Sequence, residues 1–309
     1  MTRTTPPPRN IDAEWITDRY EAVRPRLPAA DFAGIVPQAV ADLSAVADRY
    51  DVFVLDGFGV LNVGASAIPG AAARMAELRN AGKRLIVLTN SASYPAAASV
   101  TKYDGLGFDF TAAEIISSRD IALEAMADFP ADTMWGVTSA GEGSMAKLPG
   151  RAVALGDDDT AYRDADAILL LSGDQWSTAR QMRLAEALAR KPRPVVVANP
   201  DLVAPRETGP SIEPGFWAHD LADQRDLPMN FCGKPFGRAF DAVVERVAGN
   251  VPRDRFAMVG DTLHTDILGG RAAGFGTVLI TAHGVYAGRD AAPFIAATGI
   301  VPDHVAVTT

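Results

Sequence analysis

Short apolar runs recur along this chain with helical stretches between them, and that alternation constrains its fold more than any other feature. The runs are Val52–Leu55, Leu85–Leu88, Thr133–Val137, Ala152–Leu155, Ala167–Leu171, Val195–Ala198, Phe256–Val259 and Val278–Thr281. Each is too short for a helix and almost wholly apolar, as a strand covered on both faces must be. Two of the intervening stretches carry a helical period. Ala71–Ala81 is stopped by Gly82, and in Phe236–Val247 the residues Phe236, Phe240, Val243, Val244 and Val247 form one apolar stripe. Strands alternating with helices predict an α/β fold built on a largely parallel sheet.

The chain has 309 residues, enough for about two domains at roughly 100–200 residues each. With 48% hydrophobic and 22% charged residues, collagen-like, coiled-coil and disordered classes are excluded. Its net charge of -9, with no basic stripe, argues against nucleic acid and anionic membrane surfaces as partners. No apolar run reaches the ~18 residues of a membrane span, and the opening MTRTTPPPRN lacks the apolar centre of a signal peptide. A cytoplasmic protein is therefore expected. The single cysteine, Cys232, precludes an intramolecular disulfide and sits in no nucleophile signature. Residues 1–30 read as an N-terminal extension, Pro-rich and then helical from Ile11 to Val23.

Three strands run directly into polar residues. Val52–Leu55 ends at Asp56, Leu85–Leu88 at Thr89 and Asn90, and Phe256–Val259 at Gly260 and Asp261. Each alone also suits a helix N-cap, where Asp, Thr and Asn are favoured. Parallel sheets, however, bind ligands beyond the carboxyl ends of their strands. Gly57, Gly59 and Gly260 would let the backbone approach closely, so one converging site is expected.

Asp56 and Asp261 on neighbouring strand ends could hold one hard divalent cation, because Mg2+ takes one or two carboxylates together with phosphate and water oxygens. A carboxylate is also a competent nucleophile toward phosphorus. Thr89 and adjacent main-chain N–H groups, with Lys234 in Gly233-Lys234-Pro235, would supply donors for the phosphate oxygens.

These residues lie in four segments: LDGFGVL (Leu55–Leu61), VLTNSA (Val87–Ala92), GKPFGRAF (Gly233–Phe240) and VGDTLHTDI (Val259–Ile267). Their order resembles the four motifs of the haloacid dehalogenase superfamily, and more narrowly the type II branch of nitrophenyl-phosphate, pyridoxal-phosphate and nucleotide or sugar phosphatases. ANPDLVAP (Ala198–Pro205) and EIISSRDIALEAM (Glu114–Met126) are also similar to stretches of that branch. The resemblance spans about Tyr50 to Gly284.

The resemblance implies a Rossmann-like core with a mobile α/β cap inserted between the second and third motifs. Spacing agrees: about 30 positions separate Asp56 from Thr89, and about 140 separate Asn90 from Lys234. The implied core is 31–97 with 232–309, and the implied cap is 98–231. By the same resemblance Asp56 is the nucleophile and a Mg2+ ligand, the Phe58 carbonyl a second ligand and Asp261 a third, with Asp266 supporting them from behind. Thr89 and Asn90 would hold the phosphate, and Lys234 would hold phosphate and orient Asp56. The implied function is Mg2+-dependent hydrolysis of a small phosphorylated metabolite through an aspartyl-phosphate. Substrate choice would sit in cap loops near Asn199 and Asp201. Dimers formed through the cap are frequent in that branch, so a homodimer is compatible.

The sequence departs from the branch at one position. The pattern has a second Asp two residues after the nucleophile, which protonates the leaving oxygen and later activates water; here it is Phe58. Phenylalanine transfers no proton, so the resemblance implies substrates with good leaving groups or an acid supplied from elsewhere. A non-acidic residue there also resembles dehalogenases and phosphonatases, which halide release without metal would distinguish. A phosphate-binding protein without turnover is the other alternative. Thr138–Ala146 matches G-x-G-x-x-A, with Asp157 after the next strand, but Pro149-Gly150 leaves little more than one helical turn, which favours a cap loop. His219, His264, His283 and His304 are scattered. His264 lies near Asp261 in sequence, where local packing is the expectation.

Overall fold

The computed structural model describes residues 4–139 and 141–309. Its larger sheet has seven strands in the order Gln38–Val40, His304–Ala306, Gly276–Ile280, Phe256–Gly260, Val52–Leu55, Arg84–Thr89 and Ile115–Ser117. All six pairings are parallel. The Val52–Leu55, Arg84–Thr89 and Phe256–Gly260 strands are buried along nearly their whole length, which explains their unbroken apolar character. Chain order reverses between Val52–Leu55 and Phe256–Gly260, with Leu55 in register with Val259. Asp56 and Asp261 thus emerge side by side at the switch point, where open α/β sheets bind ligands.

The runs from Met134 to Val197 form a second parallel sheet, ordered Met229–Phe231, Val195–Val197, Ala167–Leu170, Met134–Thr138 and Arg151–Ala154. The expected insert boundary at residue 98 needs correction. Ile115–Ser117 pairs with Val87–Thr89 in the larger sheet, so it belongs with the Asp56 strand. The helix that follows, Ser118–Met126, buries Ile121, Ala122, Ala125 and Met126 in an apolar cluster containing residues of both sheets. Its Arg119, 1% exposed, donates to the carbonyls of Ala92, Ser144 and Ala146 at 2.7–3.1 Å.

The N-terminal helix, Ala13–Val23, is capped by Asp12, whose side chain accepts from the Trp15 N–H. Ile16, Tyr20 and Val23 lie on one face and pack against Leu202, Val203, Phe216 and Trp217 of the chain between the second and third motifs. Arg19 and Arg26 both pair with Asp223 (2.9 and 2.7 Å). The helix also meets the larger sheet's unit: Tyr20 stacks on His264, with ring centroids 4.9 Å apart. Glu21 lies 2.6 Å from the same imidazole. The extension spans both parts of the molecule.

Candidate active site

Asp56 leaves its strand still tied to the neighbouring one, its N–H donating to the Val259 carbonyl (2.9 Å). The turn beyond needs glycine at 59, where φ is +80° and a Cβ would stand 2.5 Å from the Asp261 carboxyl carbon. Asp261 is clamped by local donors: Thr262 Oγ1 to Oδ1 (2.9 Å) and the Val285 N–H to Oδ2 (3.0 Å). Asp266, on the turn Leu263–Ile267, accepts from the Thr262 N–H (3.1 Å). Carboxylate oxygens of Asp56, Asp261 and Asp266 come within 4.8 Å of one another.

Lys234 is the ammonium that faces them. It is 1% exposed, and Nζ lies 2.7 Å from Asp56 Oδ1 and 2.7 Å from Asp266 Oδ1. Burial alone would lower the lysine, but Asp266, Asp56 and Asp201 outweigh it and hold it above its ordinary value. Asp266 is pushed up to about 6, first by burial, with Lys234 pulling down and Asp56 pushing up. Burial, then Asp266 and Asp56, hold Asp261 well above the usual carboxylate range. Three carboxylates against one ammonium leave excess negative charge in an all-oxygen donor set, which suits a hard divalent cation. Asp56 Oδ1 also accepts from the Gly57 N–H (2.7 Å), and Oδ2 has no hydrogen-bond partner among the described residues.

The phosphate-side expectations are brought to the same place, with one change of emphasis. Thr89 lines the cleft, and its Oγ1 accepts from the Ser91 N–H (3.1 Å), so its hydroxyl hydrogen remains available. The Asn90 side chain is committed. Its Oδ1 accepts from the Lys234 N–H (2.8 Å), and its Nδ2 donates to Lys234 O (2.9 Å) and Asp201 Oδ1 (2.8 Å). This amide ties three distant segments together. Phe58 lines the cleft, its ring 4.3 Å from Lys102 Nζ and 4.9 Å from the Arg206 guanidinium carbon.

The chain between the second and third motifs contributes Asp201, Arg206 and Glu213 to the cleft. Asn199 and Asp201 were readable as loop residues near substrate; Arg206, Glu213 and Lys102 were not singled out. Their only signal is isolated charge in loops or on a short helix, which many solvated residues share. Burial pushes Lys102 down to about 8, against the pull of Asp56.

Several other residues do not belong to the site. His264 packs on Tyr20 and Glu21, and burial pushes it down to about 4. Burial raises the Cys232 thiol to about 12, which makes it a poor nucleophile. The segment Thr138–Ala146 forms only a short turn over Glu142–Met145; Ala140 lies outside the described residues. Among the described residues no helix is long and apolar enough to cross a membrane.

Comparison with known proteins agrees with this fold. A haloacid dehalogenase-like hydrolase model matches residues 53–148, and a second HAD-hydrolase-like model matches 231–307. Glycerol-3-phosphate phosphatase of Gallus gallus is 31% identical over 84% of this chain and 90% of its own length. Human chronophin is 30% identical over 83% and 89%. A possible sugar phosphatase from Cytophaga hutchinsonii superposes with a TM-score of 0.78 at 26% identity, covering 88% of this chain and 98% of that one. The fold is shared with a glycerol phosphate phosphatase from Mycobacterium tuberculosis solved with magnesium (TM-score 0.61, 22% identity, 77% of this chain and 69% of that one).

Proposed function

The chain belongs to the haloacid dehalogenase-like hydrolases, and from that premise we propose that it is a Mg2+-dependent phosphatase of small phosphorylated metabolites that works through an aspartyl-phosphate on Asp56. The observation that carries this reading is the orientation of the Asp56 carboxylate. Lys234 Nζ and the Gly57 N–H both engage Oδ1, which leaves Oδ2 without a hydrogen-bond partner among the described residues on a side chain that lines the cleft. Fixing the attacking atom in advance removes rotational freedom from the reaction coordinate.

Asp56, the Phe58 carbonyl and Asp261 would hold the ion, which supplies positive charge that offsets repulsion between the carboxylate and the phosphate dianion. Asp266 secures Lys234 and the Thr262 N–H behind them. Phosphate oxygens would be met by the Thr89 hydroxyl and by main-chain N–H groups around Asn90, whose side chain is already spent. In the first half-reaction Asp56 Oδ2 bonds to phosphorus as the ester oxygen leaves. In the second, water attacks phosphorus and the carboxylate is released. We read the five-stranded unit as a cap that, with the loop through Asp201 and Arg206, covers the cleft and keeps stray water from the acyl phosphate.

The test is phosphate release from a panel of phosphorylated metabolites and 4-nitrophenyl phosphate, with and without Mg2+, for the parent protein and Asp56→Asn. Mg2+-dependent release that vanishes in a folded Asp56→Asn protein is expected. A folded Asn variant that still turns over would remove Asp56 as nucleophile, and metal-free halide release would point to dehalogenation instead.

A further inference from the structure

Alkyl phosphates leave as strongly basic alkoxides unless a proton reaches the departing oxygen, so the cleft needs an acid. The ring of Phe58, two residues beyond Asp56, offers none. Asp56, Asp201, Glu213 and Asp261 are the carboxyl groups among the described cleft residues. Asp56 and Asp261 are already assigned. Glu213 is saturated by Asn199 (3.1 Å), Ser211 (2.6 Å) and Arg206 (3.2 Å). Asp201 is different. Its Oδ1 accepts from Asn90 (2.8 Å), while Oδ2 has no hydrogen-bond partner among the described residues.

Its backbone is fixed on both sides. The Asp201 N–H donates to Asn199 Oδ1 (3.0 Å), and its carbonyl accepts from the Gly215 N–H (3.0 Å). The next residue, Leu202, donates to the Tyr20 hydroxyl (3.2 Å). A carboxyl held at its base, with one oxygen tied and the other unengaged at the cleft, has the layout of a positioned acid. We propose that Asp201, carried on the inserted segment, is the general acid and base of this phosphatase in place of a residue at position 58. The proposal rests on the aspartyl-phosphate reading above.

The steps balance. As Asp56 Oδ2 bonds to phosphorus and the phosphorus–ester oxygen bond breaks, the Asp201 carboxyl gives its proton to that oxygen, and the alcohol leaves. Water then bonds to phosphorus and gives one proton to the Asp201 carboxylate as the Asp56–phosphorus bond breaks. Inorganic phosphate is released, with Asp56 ionised and Asp201 protonated as at the start. Burial holds Asp201 well above the usual carboxylate range; Lys234 and Asn90 pull it down, while Asp56 and Asp266 push it up. The neighbouring Tyr20 phenol is itself held well above its ordinary value, by burial first and then by Asp201, so it stays neutral. That shift favours the protonated form, which a general acid needs at the start of the cycle. Because it belongs to the insert, the proton is present only when the insert sits against Asn90.

The experiment compares kcat/KM across aryl and alkyl phosphates of graded leaving-group basicity, at saturating Mg2+, for the parent, Asp201→Asn and Asp201→Glu. The parent should show a shallow dependence on the leaving group. Asp201→Asn should lose on the order of 10²–10⁴-fold on alkyl phosphates and little kcat/KM on 4-nitrophenyl phosphate. That variant should also release a stoichiometric burst of 4-nitrophenolate, because the second half-reaction lacks its base. Asp201→Glu, which keeps a protonatable carboxyl, should recover part of the alkyl activity and restore the alkaline limb of the pH profile. A uniform loss on every substrate, with an unchanged leaving-group slope, would mean that Asp201 only positions Asn90 and would overturn the proposal. If the parent releases phosphate from no member of the metabolite panel and none from 4-nitrophenyl phosphate, the phosphatase reading falls and this inference falls with it.

Discussion

Replacing Lys234 by methionine tests the charge balance of the site, because it removes the ammonium while keeping the length of the side chain. Lys234 is 1% exposed and Asp266 0%, so water does not take the place of the lost partner. Breaking a buried pair by removing one member costs about 3–5 kcal/mol. That cost depends on pH. An acid whose folded pKa is raised binds its proton more tightly folded than unfolded, so stability is greatest below the unfolded value and declines as pH climbs through the folded one. For Asp266 the rise from 3.8 to about 6 corresponds to about 3 kcal/mol lost between about pH 4 and pH 6 in the parent protein. Without Lys234 the folded value climbs further and the carboxyl keeps its proton to higher pH. The variant's deficit should be smallest near pH 5, where Asp266 is largely protonated in both proteins. It should approach the full 3–5 kcal/mol near pH 8. At roughly 2–4 °C per kcal/mol for a chain of this size, Tm should fall by on the order of 10 °C at pH 8 and by less than half of that at pH 5. The assay is thermal unfolding of both proteins from pH 5 to 8 in the presence of a chelator. An equal Tm difference at every pH would refute the reasoning and reduce Lys234 to a packing residue.

Asp261→Asn should abolish the rise in Tm that Mg2+ gives the parent, about 2.7 kcal/mol at a hundredfold excess over Kd, while leaving the metal-free Tm within a few degrees; melts with and without Mg2+ decide it. Removing residues 1–27 should uncover Leu202, Phe216, Trp217 and His264 together. Lower Tm and faster proteolysis after Phe231 or near Arg206 are expected, and a truncated protein as stable as the parent would show that the extension carries no packing energy.

The parts of the molecule legible in the sequence are those whose place follows from the strand they end. Val52–Leu55 and Phe256–Gly260 are apolar at nearly every position because both faces are covered, and a residue directly beyond such a strand can only emerge at its carboxyl edge. Asp56, Thr89 and Asp261 were readable for that reason. Ile115–Ser117 shows the opposite case: three apolar or small residues look the same whether they join one sheet or the other, and only pairing with Val87–Thr89 decides it. The N-terminal helix is a third case. Its stripe of Ile16, Tyr20 and Val23 announces a buried face but not what buries it, and the answer lies some 180 residues away at Leu202. The link from Asn90 to Asp201 is equally long-range. It follows that the core chemistry of this cleft is written locally, in residues adjoining strands, whereas the groups that would meet the leaving group and the rest of the substrate, Asp201 and Arg206 among them, are set by how the inserted segment docks. Substitutions in the N-terminal helix should therefore act on substrate choice and turnover through that docking, although none of its residues adjoins Asp56 in the chain.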